Sequence, residues 1–199
     1  MRPSVRVTFP PFTARFEGTV LTMYADILGL VTIGRGNLID PESLAVALPF
    51  VRIVAGTPAS SDEILAEWTR VKTGGFASAG WRAAARNATI MLTPESVDAL
   101  TLDKLSANDA RLAARLGSDA WEALPASAQL AIHSWAWAAG PAAVAPRLWA
   151  ALAAGDWTTC ADEVHLADAG NPGLVPRNAA NRALFLACAA TDPDVVAWP

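Results

Sequence analysis

The segment formed by residues 16–37 constrains the fold of this chain most strongly. It contains two short runs, residues 20–24 and residues 30–33, whose β-branched and aromatic side chains favour β-strands. The five residues between them, 25–29, end in Gly29, and a glycine in a short connection permits the backbone dihedrals of a tight turn. The segment is therefore predicted to form a β-hairpin.

Three polar residues occupy defined places around this hairpin. Glu17 is predicted to end a short helix that begins after Pro10 and Pro11, just before the first strand. Asp26 is expected at the tip of the hairpin, and Thr32 on the returning strand. Folding of the hairpin would then bring the three side chains to one edge of a cleft.

A pair of carboxyl groups at such an edge is what glycoside hydrolysis requires. One group is protonated and releases the leaving oxygen, and the other is ionised and handles water or the cationic transition state. A threonine hydroxyl both donates and accepts hydrogen bonds, so it can orient a water molecule between them. The structural alternative is that Glu17 and Asp26 are ordinary exposed acids and that Thr32 is simply a strand residue.

The order and spacing of these residues resemble the catalytic signature of phage-type lysozymes, the muramidases of glycoside hydrolase family 24. Asp26 follows Glu17 by nine positions, and Thr32, which opens a T-I-G-R-G run, follows Asp26 by six. Tyr24 lies two positions before Asp26, and Gly29 lies three after it. The resemblance implies that Glu17 is the general acid, Asp26 the carboxylate that handles water or cation, and Thr32 the water-orienting hydroxyl. It also implies an enzyme without a cofactor that cleaves the β-1,4 bond between N-acetylmuramic acid and N-acetylglucosamine in peptidoglycan.

The rest of the chain is predicted to be mainly helical, so the fold class is α+β dominated by α-helix. Glycines between residues 74 and 90 predict a flexible stretch. The predicted helices, from caps and apolar periodicity, are residues 41–48 with Asp40 as the N-cap, 63–72, 93–116, 125–139, 145–154, 156–164 and 176–190.

The resemblance covers most of residues 12–190 and implies a lysozyme-like two-lobed fold within a single domain, residues 1–199. The parts that it implies are a small β-hairpin lobe (about 16–92), a long connecting helix (about 93–116) and a helical C-terminal lobe (about 117–190).

Three further residues are expected to bind substrate or to support the site, again from the resemblance. Arg177 follows a G-L-V-P run that is similar to a late family segment, and it is expected to pair with Glu17 and hold that carboxyl in place. Tyr24 flanks Asp26, and Trp137 lies in an aromatic helix that runs into a glycine. The alternatives are an exposed arginine at a helix start and a tryptophan in the core.

The chain departs from the family pattern in three places. Asn37 stands where many relatives have a histidine, and Asn181 stands where relatives often have an acid. Residues 41–90 are longer than the corresponding region of compact relatives. This longer region contains Trp68 and Trp81, and it is expected either to extend the substrate cleft or to contact a partner.

Composition argues against several other classes of protein. Hydrophobic residues make up 53% of the chain and charged residues 17%, so disorder is not expected. The net charge is −4 without a basic stripe, which argues against nucleic-acid binding and also suits anionic cell walls poorly. No apolar run approaches the ~20 residues of a membrane span. Residues 1–6 lack an apolar core, so no signal peptide is expected.

Histidine and cysteine usage predicts neither a metal site nor a disulfide scaffold. His133 and His165 lie far apart without acidic or cysteine partners at ligand spacing, and His133 is expected to be a satisfied core residue. Cys160 and Cys188 are expected to be small buried apolar residues, with a bridge between two C-terminal helices as the lesser alternative.

The resemblance implies that peptidoglycan glycan strands are the partner and that the protein is a monomer. It would be made in a host cytoplasm and act on the cell wall in the periplasm, either released by a holin or carried in a virion. Two other functions stay open: a chitin- or chitosan-cleaving hydrolase on the same fold, and a non-catalytic lysozyme-like domain that binds glycan or forms part of a virion. The presence of Glu17, Asp26 and Thr32 together argues against the non-catalytic domain.

Overall fold

The computed structural model describes residues 1–198 of the chain. It is mainly helical with small antiparallel sheets, which confirms the predicted α+β class dominated by α-helix. The backbone divides into two compact units, and each is described by itself. Unit 1 comprises Met1–Phe16 and the chain from Leu102 onward, and unit 2 comprises Glu17–Thr101.

Unit 2 contains the predicted hairpin. Strand β1 (Val20–Ala25) pairs antiparallel with β2 (Val31–Gly34), and the register places Tyr24 opposite Thr32. A third strand, β3 (Asn37–Leu38), pairs antiparallel with β2 and completes a sheet of order β1-β2-β3. The sequence did not predict β3 because two residues are too few to show an alternating pattern.

The rest of unit 2 consists of short elements around one apolar core. These elements are α2 (Glu42–Val46), β4 (Val51–Arg52), α3 (Ser61–Thr73), a 3-10 turn (Phe76–Ser78), α4 (Trp81–Ala85), β5 (Ile90–Met91) and the first part of α5 (Pro94–Leu116). Strands β4 and β5 pair as a second antiparallel sheet. Core residues include Met23, Ile33, Phe50, Val71, Leu92 and Val97.

One prediction for the 41–90 region was wrong in detail. Asp40 does not cap α2, because Pro41 occupies the N-cap position and the Asp40 carboxylate instead binds Lys72 and the backbone amide of Val31. The glycine-containing stretch between residues 74 and 90 contains the 3-10 turn and α4. An arginine of α3 donates a hydrogen bond to the backbone of α4 and so anchors that helix.

Unit 1 is helical in its described residues. Its elements are α1 (Pro3–Glu17), which ends at the first residue of unit 2, the second part of α5, and α6 (Ser118–Ala123), α7 (Ala126–Ala139), α8 (Pro146–Ala154), α9 (Trp157–Glu163) and α10 (Leu174–Ala187). Helix α7 is buried along most of its length, α10 packs against both α7 and α9, and α8 packs against α9. This arrangement makes α7 the central helix of the unit's apolar core.

Helix α1 begins at Pro3, earlier than predicted, and continues through Pro10 and Pro11. Proline weakens a helix because it lacks an amide hydrogen and crowds the preceding turn. Val5 and Phe9, one turn apart, are completely buried in the core of unit 1. Burial of these two side chains offsets the free-energy cost of the prolines in the helix. Local helix propensity does not include this burial, so it could not predict the earlier start.

Helix α5 begins as the sequence predicts. Pro94 is its first residue, and the Thr93 hydroxyl accepts a hydrogen bond from the Ser96 amide at 3.2 Å, which satisfies one of the free donors of the first turn. The helix is 23 residues long and carries charged side chains along its length. Within residues 1–198, no helix combines the length and the apolar character that crossing a membrane requires.

Candidate active site

Glu17 is the last residue of α1 and is partly buried. Its carboxylate lies against the turn between β2 and β3: a Cβ atom added to Gly36 would stand 3.4 Å from Glu17 Oε2. Gly36 has a φ of 73°, a conformation that costs other residues energy. The turn therefore uses glycine for its dihedral angle, and the Glu17 carboxylate lies within van der Waals reach of this position.

Asp26 follows β1 directly and organises the turn of the hairpin. Its Oδ1 atom accepts hydrogen bonds from the Leu28 amide at 2.8 Å and from the Leu30 amide at 2.9 Å. Its backbone carbonyl accepts from the Gly29 amide at 3.0 Å. Aspartate commonly caps its own turn in this way. Because both side-chain bonds fall on Oδ1, their geometry also fixes the direction of Oδ2.

Thr32 lies on β2, as predicted, and is 5% exposed. Its Oγ1 donates to the Leu30 carbonyl at 3.3 Å, which is a long hydrogen bond. A hydroxyl has one proton and two acceptor sites, so this contact uses the proton and leaves the acceptor capacity. Orienting a water molecule would draw on that acceptor capacity.

Tyr24 links the two carboxylates electrostatically. Burial, which is the largest cause, and the negative charges of Glu17 and then Asp26 together raise the pKa of Tyr24 to about 12. Both carboxylates therefore act on one phenol inside unit 2, and this phenol stays protonated and able to donate at neutral pH.

Arg35, which sequence reasoning did not single out, anchors the turn beside Glu17. Its guanidinium forms an ion pair with Asp98 of α5 at 2.7 Å and donates to Thr101 Oγ1 at 3.1 Å. Its backbone amide donates to Asn37 Oδ1 at 3.2 Å. Asn37 thus closes the turn through its side chain. The sequence indicated this role of Arg35 only through its position between two glycines, Gly34 and Gly36.

Arg177 and Trp137 both lie in unit 1 and are both buried. Arg177, on α10, is 2% exposed, so the alternative of an exposed arginine at a helix start is wrong. Its guanidinium carbon lies 5.2 Å from the centre of the Phe16 ring, within cation–π range. Pairing of Arg177 with Glu17, a residue of unit 2, stays a prediction.

Trp137, on α7, is 8% exposed and packs against Phe9 with ring centres 5.1 Å apart. The ammonium of Lys104 lies 4.3 Å from the centre of its ring. These contacts give Trp137 a role in the core of unit 1, as the structural alternative held. A role in binding sugar stays a prediction.

His133 is buried in unit 1, as predicted for a core histidine, but only its Nε2 is satisfied, because Nδ1 has no hydrogen-bond partner among the described residues. Its Nε2 lies 3.1 Å from Asp109 Oδ1, which also accepts from Trp121 Nε1 at 2.9 Å. Burial lowers the pKa of His133, and the hydrogen bond with Asp109 opposes that shift.

Cys160 and Cys188 are buried free thiols, so they form no bridge. Among residues 1–198, no cluster of three potential metal ligands occurs.

Comparison of the chain with protein-family models, with curated proteins and with solved structures finds no match. The family resemblance and the roles that it implies therefore rest on the residues themselves.

Proposed function

We propose that this protein is a muramidase that cleaves the β-1,4 bond between N-acetylmuramic acid and N-acetylglucosamine in peptidoglycan, and so lyses bacterial cell walls. Glu17 is the general acid that protonates the leaving oxygen. Asp26 presents Oδ2 to the water or to the cationic sugar, and the Thr32 hydroxyl orients that water as a hydrogen-bond acceptor. The lysozyme-like character of the fold is part of the same proposal.

The joint action of Glu17 and Asp26 on Tyr24 carries this proposal. The negative charges of Glu17 and Asp26, nine positions apart in the sequence, both add to the effect of burial on the pKa of this phenol, which supports a shared site. Glycosidase chemistry needs a pair of carboxyl groups, about 5–5.5 Å apart in retaining enzymes and about 6.5–9.5 Å apart in inverting ones. The β1–β2 register, which sets Thr32 directly opposite Tyr24, adds the hydroxyl to the same environment.

Substitution of Glu17 by glutamine tests the proposal. Glu17→Gln keeps the size and polarity of the side chain but removes the proton that the acid must donate. The rate of turbidity loss with outer-membrane-permeabilised Gram-negative cells should fall by roughly 10²–10⁴-fold, the usual contribution of a general acid. The circular dichroism spectrum and the cooperativity of melting should stay unchanged.

Glu42→Gln is the matched control, because Glu42 is an exposed acid in α2 of the same unit. This variant should lyse cells at the rate of the original protein. Retention of more than about a tenth of the activity by Glu17→Gln would remove Glu17 from the acid role.

A second candidate function is non-catalytic, a domain that binds glycan or forms part of a virion. The contacts of Asp26 and Thr32 favour it, because Asp26 Oδ1 already holds two turn amides and the Thr32 hydroxyl already donates within the hairpin. Such a domain would sediment with purified peptidoglycan without releasing reducing ends. Release of reducing ends from chitin or chitosan, but not from peptidoglycan, would instead identify a hydrolase of the related class.

A further inference from the structure

We propose that Lys72 and Asp40 form a brace that positions the Asp26 carboxylate, which makes Lys72 a positioning residue for the reaction. The inference rests on the proposed function, since Asp26 is positioned for glycoside hydrolysis. It also assigns a role to helix α3, in the 41–90 region that is longer than in compact relatives.

The first part of the brace is a set of hydrogen bonds from Lys72, on α3, to the hairpin turn and to Asp40. The ammonium of Lys72 donates to the backbone carbonyl of Gly29 at 3.1 Å and to Asp40 Oδ2 at 2.6 Å. Lysine has three donors on one nitrogen, so a single side chain can serve both acceptors. The turn and the segment after β3 are thereby joined at one charged group.

The second part of the brace is the hydrogen bond between the Asp40 carboxylate and the hairpin backbone. Its Oδ2 atom also accepts a hydrogen bond from the backbone amide of Val31 at 3.2 Å. The hydrogen bond from Lys72 is the main reason that the pKa of Asp40 is below its usual range, so the carboxylate is ionised at neutral pH and the pair persists. Lys72 thus holds Gly29 and Asp40 holds Val31, the two residues on either side of Leu30.

These braced residues carry the donors that orient Asp26. The Leu30 amide, between the two braced positions, donates to Asp26 Oδ1, and the Gly29 amide donates to the Asp26 carbonyl. Any displacement of this backbone would rotate or release the carboxylate. The position of Oδ2 therefore depends on Lys72, although Lys72 lies 46 positions later in the sequence.

Helix α3 is itself fixed, which a brace requires. Its N-terminus has a reciprocal capping box between Ser60 and Glu63. Its Trp68 indole donates to the Ile39 carbonyl at 2.9 Å, next to Asp40 in the chain. The helix thus contacts the segment that carries Asp40 at two successive turns, through Trp68 and through Lys72.

A kinetic experiment separates positioning from general support of the fold. Lys72→Met keeps the length of the side chain and removes its donors, and it should lower kcat by about ten- to a hundredfold with little change in the half-saturating concentration of soluble uncrosslinked peptidoglycan. Lys72→Arg, whose guanidinium can still donate to both acceptors, should recover most of the loss. The control is Arg182→Met, which removes an exposed ion pair between α10 and α9 of unit 1, and it should keep the original kcat.

Hydrogen exchange followed by NMR tests the brace without any activity. The amides of Leu28 and Leu30 should exchange about tenfold faster in Lys72→Met than in Arg182→Met, because turn opening no longer breaks the Lys72 contacts. Unchanged exchange of both amides overturns the brace. Faster exchange with an unchanged kcat would overturn the positioning role alone. If the original protein releases no reducing ends, the proposed function fails, and the positioning role with it, while the exchange data still decide whether the brace exists.

Discussion

Asp26 has two roles that two substitutions should separate. Its Oδ1 atom accepts two backbone hydrogen bonds, at 2.8 and 2.9 Å, and its charge serves the proposed chemistry. Asp26→Asn keeps a side-chain oxygen that can accept both bonds but removes the charge. Asp26→Ala removes the acceptor and the charge together.

The contacts give the expected magnitudes. Hydrogen bonds to charged groups contribute about 1.5–3 kcal/mol each when buried, and neutral ones about 0.5–1.5 kcal/mol. Because the Asp26 turn is partly exposed, Asp26→Ala should lower the free energy of unfolding by about 1–3 kcal/mol in total. Asp26→Asn, which retains both acceptor contacts, should lose less than about 1 kcal/mol. For a chain of this length, each kcal/mol corresponds to about 2–4 °C in Tm.

Activity should follow a different order from stability. Both variants should lose cell lysis by about 10²-fold or more, because both lack the ionised carboxylate. Thermal melting by circular dichroism and turbidity loss on permeabilised cells measure the two quantities on the same preparations. An Asp26→Asn variant that lyses cells at the original rate would refute the catalytic role and leave Asp26 as a turn cap only.

Asp156 supplies a matched control for the capping contribution. It caps α9 in unit 1, where its Oδ1 accepts from the Thr159 amide at 3.0 Å. Asp156→Ala should lower the free energy of unfolding by about 1 kcal/mol, as for other N-cap aspartates, and leave lysis unchanged. A loss of lysis in this variant would mean that turbidity responds to stability alone.

Three further predictions concern other positions. Gly36→Ala and Gly56→Ala place alanine at similar φ values, 73° and 66°, so each should cost about 1–2 kcal/mol of stability. Only Gly36→Ala should also reduce lysis, because its methyl group would contact the Glu17 carboxylate, and equal lysis by both variants would contradict that contact. Arg177→Ala should lower the Tm through loss of the buried cation–π contact, about 1–2 kcal/mol, and Arg177→Lys should recover only part, because lysine lacks the planar guanidinium. Burial holds the pKa of His133 below its ordinary value, so below about pH 6.5 the unfolded chain binds a proton that the folded chain does not, and stability falls as pH falls. Urea unfolding of His133→Gln should show a smaller pH slope between about pH 5 and 6.5, by up to ~1.4 kcal/mol per pH unit, and an unchanged slope would contradict the burial effect.

Local patterns in the sequence were sufficient for the hairpin and for most helix boundaries. Asp26 binds amides two and four positions later, and Thr93 binds the amide of Ser96, so these contacts depend on a few adjacent residues. Helix α1 shows the limit of such patterns, since Pro10 predicts a helix start yet lies inside a helix. The buried face of that helix lies against residues more than a hundred positions away, which local propensity does not include.

The sequence by itself determined the hairpin, the turn that Asp26 caps and the spacing that suggests glycosidase chemistry, because the turn depends on hydrogen bonds between near neighbours. Only the tertiary structure decided which distant groups support them. Lys72 reaches the turn across 43 positions, and His133 meets Asp109 across 24. Such pairs form when packed helices bring two side chains together, and no local periodicity records which side chains will meet.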